Sequence, residues 1–182
     1  MYRSLLAVPL LISSLNATAA DQVYRLLQVE DGDTLLVEIA GQPVRVQLAE
    51  IDAPEDVANP KLAKDSQRTG NSTDELLRLG RASTDHLKRM LPVGSGVHLQ
   101  GELKRKDKYG RVPAFVRSLS GAPLNARMVR DGYAVVLHGY PPDTSPKEVL
   151  LEAEAAAIAE NAGLWGSDSQ LMQAWSGRNA PN

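Results

Sequence analysis

The sequence predicts an α+β fold: a five-stranded β-barrel with about three α-helices. Three observations carry that prediction. Residues 22–49 hold three short apolar runs separated by the turn signals Asp31-Gly32-Asp33 and Gly41-Gln42-Pro43. A long amphipathic stretch then separates them from two further strand-like runs. Start and stop signals for two more helices follow in the last third of the chain.

Val23 to Val29 is rich in apolar residues and ends at the Asp-Gly-Asp turn; Thr34 to Ile39 follows. Val44, Val46 and Leu48 then alternate with Arg45 and Gln47, so period-two geometry puts Arg45 and Gln47 on the opposite face. Residues 56–71 lack apolar rhythm and read as a long loop, a length usually tied to function or motion. Leu76, Leu79, Leu87, Met90 and Leu91 mark a helix from about Thr73 to Leu91, stopped by Pro92; Gly80 weakens it and could split it. Val97 to Leu103 alternates again, and Gly110 to Val116 is a fifth strand. Pro113 removes a ladder donor there, which points to an edge or a bulge. A helix over about Leu124 to Asp131 ends at Gly132. Another starts at Ser145, with Pro146 at its first position and Glu148 placed for a capping box, and runs to Asn161 before Gly163. Five strands with a helix between the third and fourth is the inventory of an OB-fold Greek-key β-barrel, although the pattern alone allows other α+β folds.

The ends read differently. Arg3, the apolar run Leu5 to Leu15 and the small residues Ala17 to Ala20 read as a signal peptide over 1–20, too short to span a bilayer. Residues 21–166 then form one domain, and 167–182 read as a disordered tail in which Trp175 could dock. Export implies a secreted or periplasmic protein with no membrane anchor. The chain has no cysteine, so neither disulfides nor a cysteine lipid anchor are available. Its net charge of −2 becomes −3 without Arg3, the only charged residue of 1–20. An acidic chain of this kind binds nucleic acid only through a local basic patch, and Lys104 to Arg111 is the candidate.

Two acidic stretches carry the chemistry: Asp31-Gly32-Asp33-Thr34 and Ile51-Asp52-Ala53-Pro54-Glu55. Each alone is compatible with ordinary turn chemistry. One hairpin separates them, and a hairpin returns the chain near its start, so Asp33, Asp52 and Glu55 can converge. Clustered carboxylates repel unless cations neutralise them, and all-oxygen donors, including a backbone carbonyl such as that of Ala53, suit calcium. A guanidinium from Arg111 beside such a site suggests metal-assisted attack on a phosphodiester.

On these residues and the motifs that follow them, the chain resembles the thermonucleases, the staphylococcal nuclease-like family, over roughly residues 22 to 166. The carrying motifs are the two acidic stretches, Asp107-Lys108-Tyr109-Gly110-Arg111, Leu124-Asn125-Ala126, Asp131-Gly132-Tyr133-Ala134 and Gly163-Leu164-Trp165, in that order. The resemblance implies a calcium-dependent endonuclease acting as a monomer on DNA and RNA and leaving 3′-phosphates. By resemblance, Asp33, Asp52 and the carbonyl of Ala53 hold the metal, with Asp31 in support. Glu55 is then the general base and Arg111 the phosphate-binding cation. Lys108 and Tyr109 grip a terminal phosphate, and His138 and Tyr140 stand where the family favours base-stacking tyrosines. Asn125 and Trp165 belong to positions that hold helices to the barrel.

One departure matters most. The family places an arginine five residues before Asp52, where this chain has Gln47. Loss of such an arginine costs roughly three to five orders of magnitude in other phosphoryl-transfer enzymes. Arg45, on the same strand face, either substitutes for it or is an ordinary solvated strand residue. His86 and His98 read as structural, and three scattered histidines disfavour a zinc site. Three functions therefore stand: a nuclease, a nucleic-acid-binding barrel whose catalysis is weak or lost through Gln47, and a barrel that binds protein or oligosaccharide. The set Asp33, Asp52, Glu55 and Arg111 argues against the third.

Overall fold

A computed structural model describes residues 22–137 and 147–178. Alternating apolar residues build the strands: β1 (Val23–Val29), β2 (Thr34–Ile39), β3 (Gln42–Leu48), β5 (Gly96–Gln100) and β6 (Val112–Ser118). They close into a barrel in the order β1-β2-β3-β6-β5, with β5 returning to β1. All neighbours are antiparallel except β3 and β6, which run parallel. Leu26, Leu35, Val37, Val46, Leu48, Val97, Ala114 and Val116 fill the interior. A second, two-stranded sheet pairs β4 (Ile51–Asp52) with β7 (Val135–Val136).

The α+β barrel of the sequence reading is what the chain forms, with more helix around it. Among the described residues there are six helices rather than about three: α1 (Pro60–Thr69), α2 (Thr73–Met90), α3 (Leu124–Arg130), α4 (Lys147–Ala159), α5 (Leu164–Ser167) and α6 (Ser169–Ser176). The caps proposed at Ser145 and Pro146 lie outside the described residues, as do residues 1–20. Helix α2 runs unbroken through Gly80, and Ser72 and Glu75 form a full capping box at its start. Pro113 is tolerated in β6 because the pairing to β5 covers only Phe115–Ser118; at Pro113 the strand has a partner on the β3 side alone.

Two expectations need correction. Residues 56–71 are not a structureless loop, since α1 occupies 60–69. Asn59 caps it by accepting from the Leu62 N–H (2.9 Å), Pro60 sits in its first turn, and Gly70 closes it at φ 72°. The helix buries one apolar side chain, Leu62, which is why no apolar rhythm announces it. Within the expected tail, residues 169–176 are helical. Helix α6 buries Leu171, Met172 and Trp175 against Leu62, Leu76, Leu79, Ala157, Leu164 and Trp165, a second core beside the barrel. Burial of three large apolar side chains outweighs the polarity of the rest of the segment.

A buried amide locks α3 onto the barrel. Asn125 Oδ1 accepts from the Val116 N–H (2.9 Å), and its Nδ2 donates to the carbonyls of Ala49 (2.9 Å) and Ala114 (3.3 Å). Every polar atom of that amide is satisfied. Because Trp175 is almost wholly buried, Trp175→Ala is expected to destabilise the fold by about 3–5 kcal/mol, measured as the free energy of urea unfolding.

Candidate active site

The barrel register brings the distant motifs together. Thr34 pairs with Gln47 across β2 and β3, and Gln47 pairs with Pro113 across β3 and β6. Asp33 and Arg111 therefore enter the same end of the barrel from two strands that do not pair with each other. The Leu48 N–H donates to the Asp33 carbonyl (2.7 Å), which extends the ladder into the acidic turn.

The Asp33 carboxylate is buried and gripped at both oxygens. Thr34 Oγ1 donates to Oδ1 (2.8 Å), and the Ala53 N–H donates to Oδ2 (3.1 Å). This second bond ties the Asp-Gly-Asp turn directly to the Asp-Ala-Pro-Glu segment. Arg111 stands beside it, with a terminal guanidinium nitrogen 3.8 Å from Asp33 Oδ1 and 3.4 Å from Thr34 Oγ1. Asp107 orients that arginine: it accepts from Arg111 Nε (3.0 Å) and from the backbone N–H groups of Tyr109 and Arg111. Burial pushes the Asp107 carboxyl up, but these donors outweigh it and hold it below the usual carboxylate range. Lys108 and Arg111 both lie over the exposed Tyr109 ring, 5.0 and 5.2 Å from its centroid.

Asp31 accepts the Asp33 N–H (3.0 Å) from one turn position away. Burial, and then the Asp33 charge, raises the Asp31 carboxyl to about 7. Burial also raises Asp33, reinforced by the charge of Asp52. Burial raises Asp52 as well, against the opposing pull of Lys61. Asp33 and Asp52 are thus close enough to repel, as the hairpin argument requires. The three-carboxylate convergence is only partly met. Among the described residues no three acidic or histidine side chains close into a metal-holding cluster. An ammonium stands between Asp52 and Glu55 instead.

That ammonium is Lys61 of α1, a residue the sequence reading missed. Its Nζ lies 3.0 Å from Glu55 Oε1, 3.3 Å from Asp52 Oδ1 and 3.7 Å from Asp65 Oδ2. Burial works against its charge, but Asp52 and Glu55 outweigh burial and raise its pKa. Asn59 Nδ2 donates to the other Glu55 oxygen at 2.5 Å. The available signal was the cap pattern, Asn59-Pro60 at one end and Gly70 at the other.

The remaining candidates fall apart from this group. Arg45 does not turn inward; its Nε is ion-paired with Glu30 at a half-exposed position. Gln47 is buried, donates to the Ile51 carbonyl (3.4 Å) and leaves Oε1 without a partner among the described residues. His138 and Tyr140 lie outside the described residues. His86 bonds Asp131 (2.9 Å) and stacks on Tyr133, which fits a structural role; His98 Nδ1 is buried without a partner among the described residues.

Two glycines let the backbones close around the carboxylates. A Cβ on Gly32 would lie 2.7 Å from Ser83 Cβ and 2.8 Å from Ala53 Cβ. One on Gly80 would lie 2.0 Å from the Glu55 carbonyl oxygen, so α2 packs directly on the Glu55 backbone. Gly80 is therefore kept for close approach, and not for a helix break.

Several known proteins are similar to this sequence. The profile of the family described as Staphylococcal nuclease homologue matches residues 45–167. An endonuclease of Bacillus subtilis is 31% identical over 152 residues, 80% of this chain but 12% of that protein. An uncharacterized endonuclease of Escherichia coli is 31% identical over 173 residues, 95% of each chain. A thermonuclease of Staphylococcus intermedius is 28% identical over 142 residues, 78% of this chain and 75% of that one. The chain thus spans only about an eighth of the Bacillus subtilis relative, and 59% of an uncharacterized Bacillus anthracis protein that is 30% identical.

Two outcomes follow from the packing and the charge. Gly80→Ala is expected to destabilise by about 2 kcal/mol or more in urea melts, because the clash overrides the roughly 1 kcal/mol by which alanine favours a helix. For Asp31, the folded pKa is raised above the unfolded value, so its stabilising contribution is full below about pH 4 and is lost as pH rises through about 7. The substitution Asp31→Asn keeps an acceptor for the Asp33 N–H and removes the charge. The melting temperature of this variant relative to wild type should therefore rise by a few degrees between pH 5 and pH 8, read by circular dichroism.

Proposed function

The chain belongs to the staphylococcal nuclease homologue family, and from that premise we propose that it is a calcium-dependent nuclease. It hydrolyses phosphodiester bonds of DNA and RNA with little sequence preference, after export directed by residues 1–20. The observation that carries this reading is the meeting of Asp33 and Arg111 at one end of the barrel, with Ala53 bonded to Asp33 and Glu55 joined to Asp52 through Lys61. Asp33 is a buried acidic group whose ionisation the charge of Asp52 makes costlier still, and Arg111 is held beside it by Asp107.

Asp33 and Asp52 are the carboxylates that would hold a hard divalent cation. Asp33 and Asp52 offer carboxylate oxygens whose repulsion a cation would relieve, the Ala53 carbonyl adds a neutral oxygen, and Asp31 adds charge nearby. Bound there, the ion would supply positive charge to a phosphate oxygen. The protein groups do the rest. Arg111 binds the scissile phosphate and stabilises charge as it moves to the leaving oxygen. Glu55 orients a water molecule and takes its proton. The water oxygen bonds to phosphorus as the bond to the 5′-oxygen breaks, leaving a 3′-phosphate and, after protonation from solvent, a 5′-hydroxyl. Lys108 and Tyr109, exposed beside Arg111, form a cationic and aromatic rim suited to a terminal phosphate. His138 and Tyr140 complete the base-binding side in this reading.

Gln47 favours a second reading, a nucleic-acid-binding barrel with weak catalysis. Its amide is uncharged and committed to Ile51, and Arg45 is committed to Glu30. The two readings separate on supercoiled plasmid and on RNA, incubated with millimolar Ca²⁺ or with EDTA. The nuclease reading expects cleavage with Ca²⁺ only, reduced by about 10²–10⁴-fold in Glu55→Gln, and increased by Gln47→Arg. Binding without cleavage by wild type supports the second reading. Cleavage that survives EDTA overturns the calcium-dependent one.

A further inference from the structure

We propose that helix α1 is part of the catalytic apparatus, and that Lys61 is a positioning residue that bridges Asp52 and Glu55. This rests on the reading of those two groups as site carboxylates. Neither the family resemblance nor the motifs point to α1; its geometry does.

Helix α1 reaches both oxygens of Glu55. Lys61 Nζ lies 3.0 Å from Oε1, and Asn59 Nδ2 donates to Oε2. A carboxylate held at both oxygens has one orientation, and the same ammonium, 3.3 Å from Asp52 Oδ1, sets its spacing from Asp52. Lys61 is itself held in place. Its Nζ lies 5.6 Å from the centroid of the Trp175 ring, and Asp65, one turn along α1, flanks it at 3.7 Å. Asp65 is fixed by Trp175 Nε1–H (3.3 Å) and by Arg68 (2.9 Å), and Arg68 donates in turn to the Trp175 carbonyl (2.7 Å). Leu62, the next residue, is buried in the second core. The ammonium therefore rests on a packed support formed by α1 and α6, and is not a freely rotating surface lysine.

Two consequences have opposite sign, which makes the role distinguishable from a structural one. Fixing Glu55 favours turnover. Holding a positive charge against Asp52 disfavours a divalent cation at the same carboxylate. Removing the charge should therefore tighten cation binding while slowing the reaction. Loss of fold would instead weaken both.

The test uses the full chain with Lys61→Met, which keeps the aliphatic stem over Trp175 and removes the charge. Ca²⁺ binding is measured by calorimetry in the absence of nucleic acid, and cleavage kinetics on a single-stranded DNA substrate. The expected result is Ca²⁺ affinity higher by about three- to tenfold, with kcat lower by about 10–100-fold and KM changed little. Lys61→Arg should regain at least about tenfold of the lost kcat. Asn59→Asp is the second variant: it keeps the cap on the Leu62 N–H but sets a carboxylate against Glu55. It should lose kcat with an unchanged melting temperature. Where wild type cleaves, a Lys61→Met variant that leaves either kcat or Ca²⁺ affinity at the wild-type value, or lowers both together, overturns the proposal. If wild type cleaves nothing while Lys61→Met still tightens Ca²⁺ binding, the bridge to Asp52 stands and the nuclease reading falls.

Discussion

The site depends on one hydrogen bond, from the Ala53 N–H to Asp33 Oδ2. It joins the turn between β1 and β2 to the segment after β3, two stretches whose backbones do not pair there. A buried carboxylate needs donors at both oxygens, and Asp33 finds them only if residue 53 is brought beside residue 33. Gly32 permits that approach, since a side chain there would collide with Ala53 and Ser83. Asp52 and Glu55 follow because they flank Ala53 on a stretch stiffened by Pro54. The positions of three acidic groups are thus consequences of satisfying one of them.

The barrel supplies only half of the surroundings. Arg111 and Asp33 come from adjoining ends of β6 and β2, where the register Thr34–Gln47–Pro113 places them. The opposite wall comes from α1, α2 and α6, which share the second core. Gly80 of α2 lies against the Glu55 backbone while Asn59 and Lys61 of α1 hold its side chain. The α6 segment has no group among the proposed catalytic residues, yet Trp175 reaches the site through Asp65 and the ammonium of Lys61. Stability of that helical core and geometry at Glu55 are therefore linked.

What was legible in the sequence is what periodicity and short motifs encode. Alternation in β3 and β5 marked the barrel, the apolar stripe marked α2, and the acidic and Lys-Tyr-Gly-Arg motifs marked residues 31–33, 52–55 and 108–111. What was not legible has physical reasons. Helix α1 turns a single apolar residue to the core, so its caps were its only signature. Helix α6 is short and polar, and its apolar residues have meaning only once Leu62 and Leu76 are in place to receive them. Gly80 was read as a weakness in a helix because propensity is local, whereas its function is contact with a residue on another element. The pairing of Arg45 was hidden for the same reason: its partner, Glu30, lies fifteen residues earlier and becomes a neighbour only in the folded barrel.

The charge balance gives the arrangement its chemical logic. Asp31, Asp33 and Asp52 are all costly to ionise as they stand, while Lys61 and Arg111 each serve one flank of the group. Position 47, between Thr34 and Pro113 in the barrel register, contributes no charge. The positive charge of Lys61 comes from a helix outside the barrel, where its placement depends on α1 and α6 packing and not on strand pairing. A cation fixed by side-chain packing can be moved by changes far from the acidic group, at Trp175 or Asp65. One carried on β3 would be held by the backbone ladder itself. The site is consequently built from one rigid wall, set by strand register, and one wall whose position is set by how well two short helices pack.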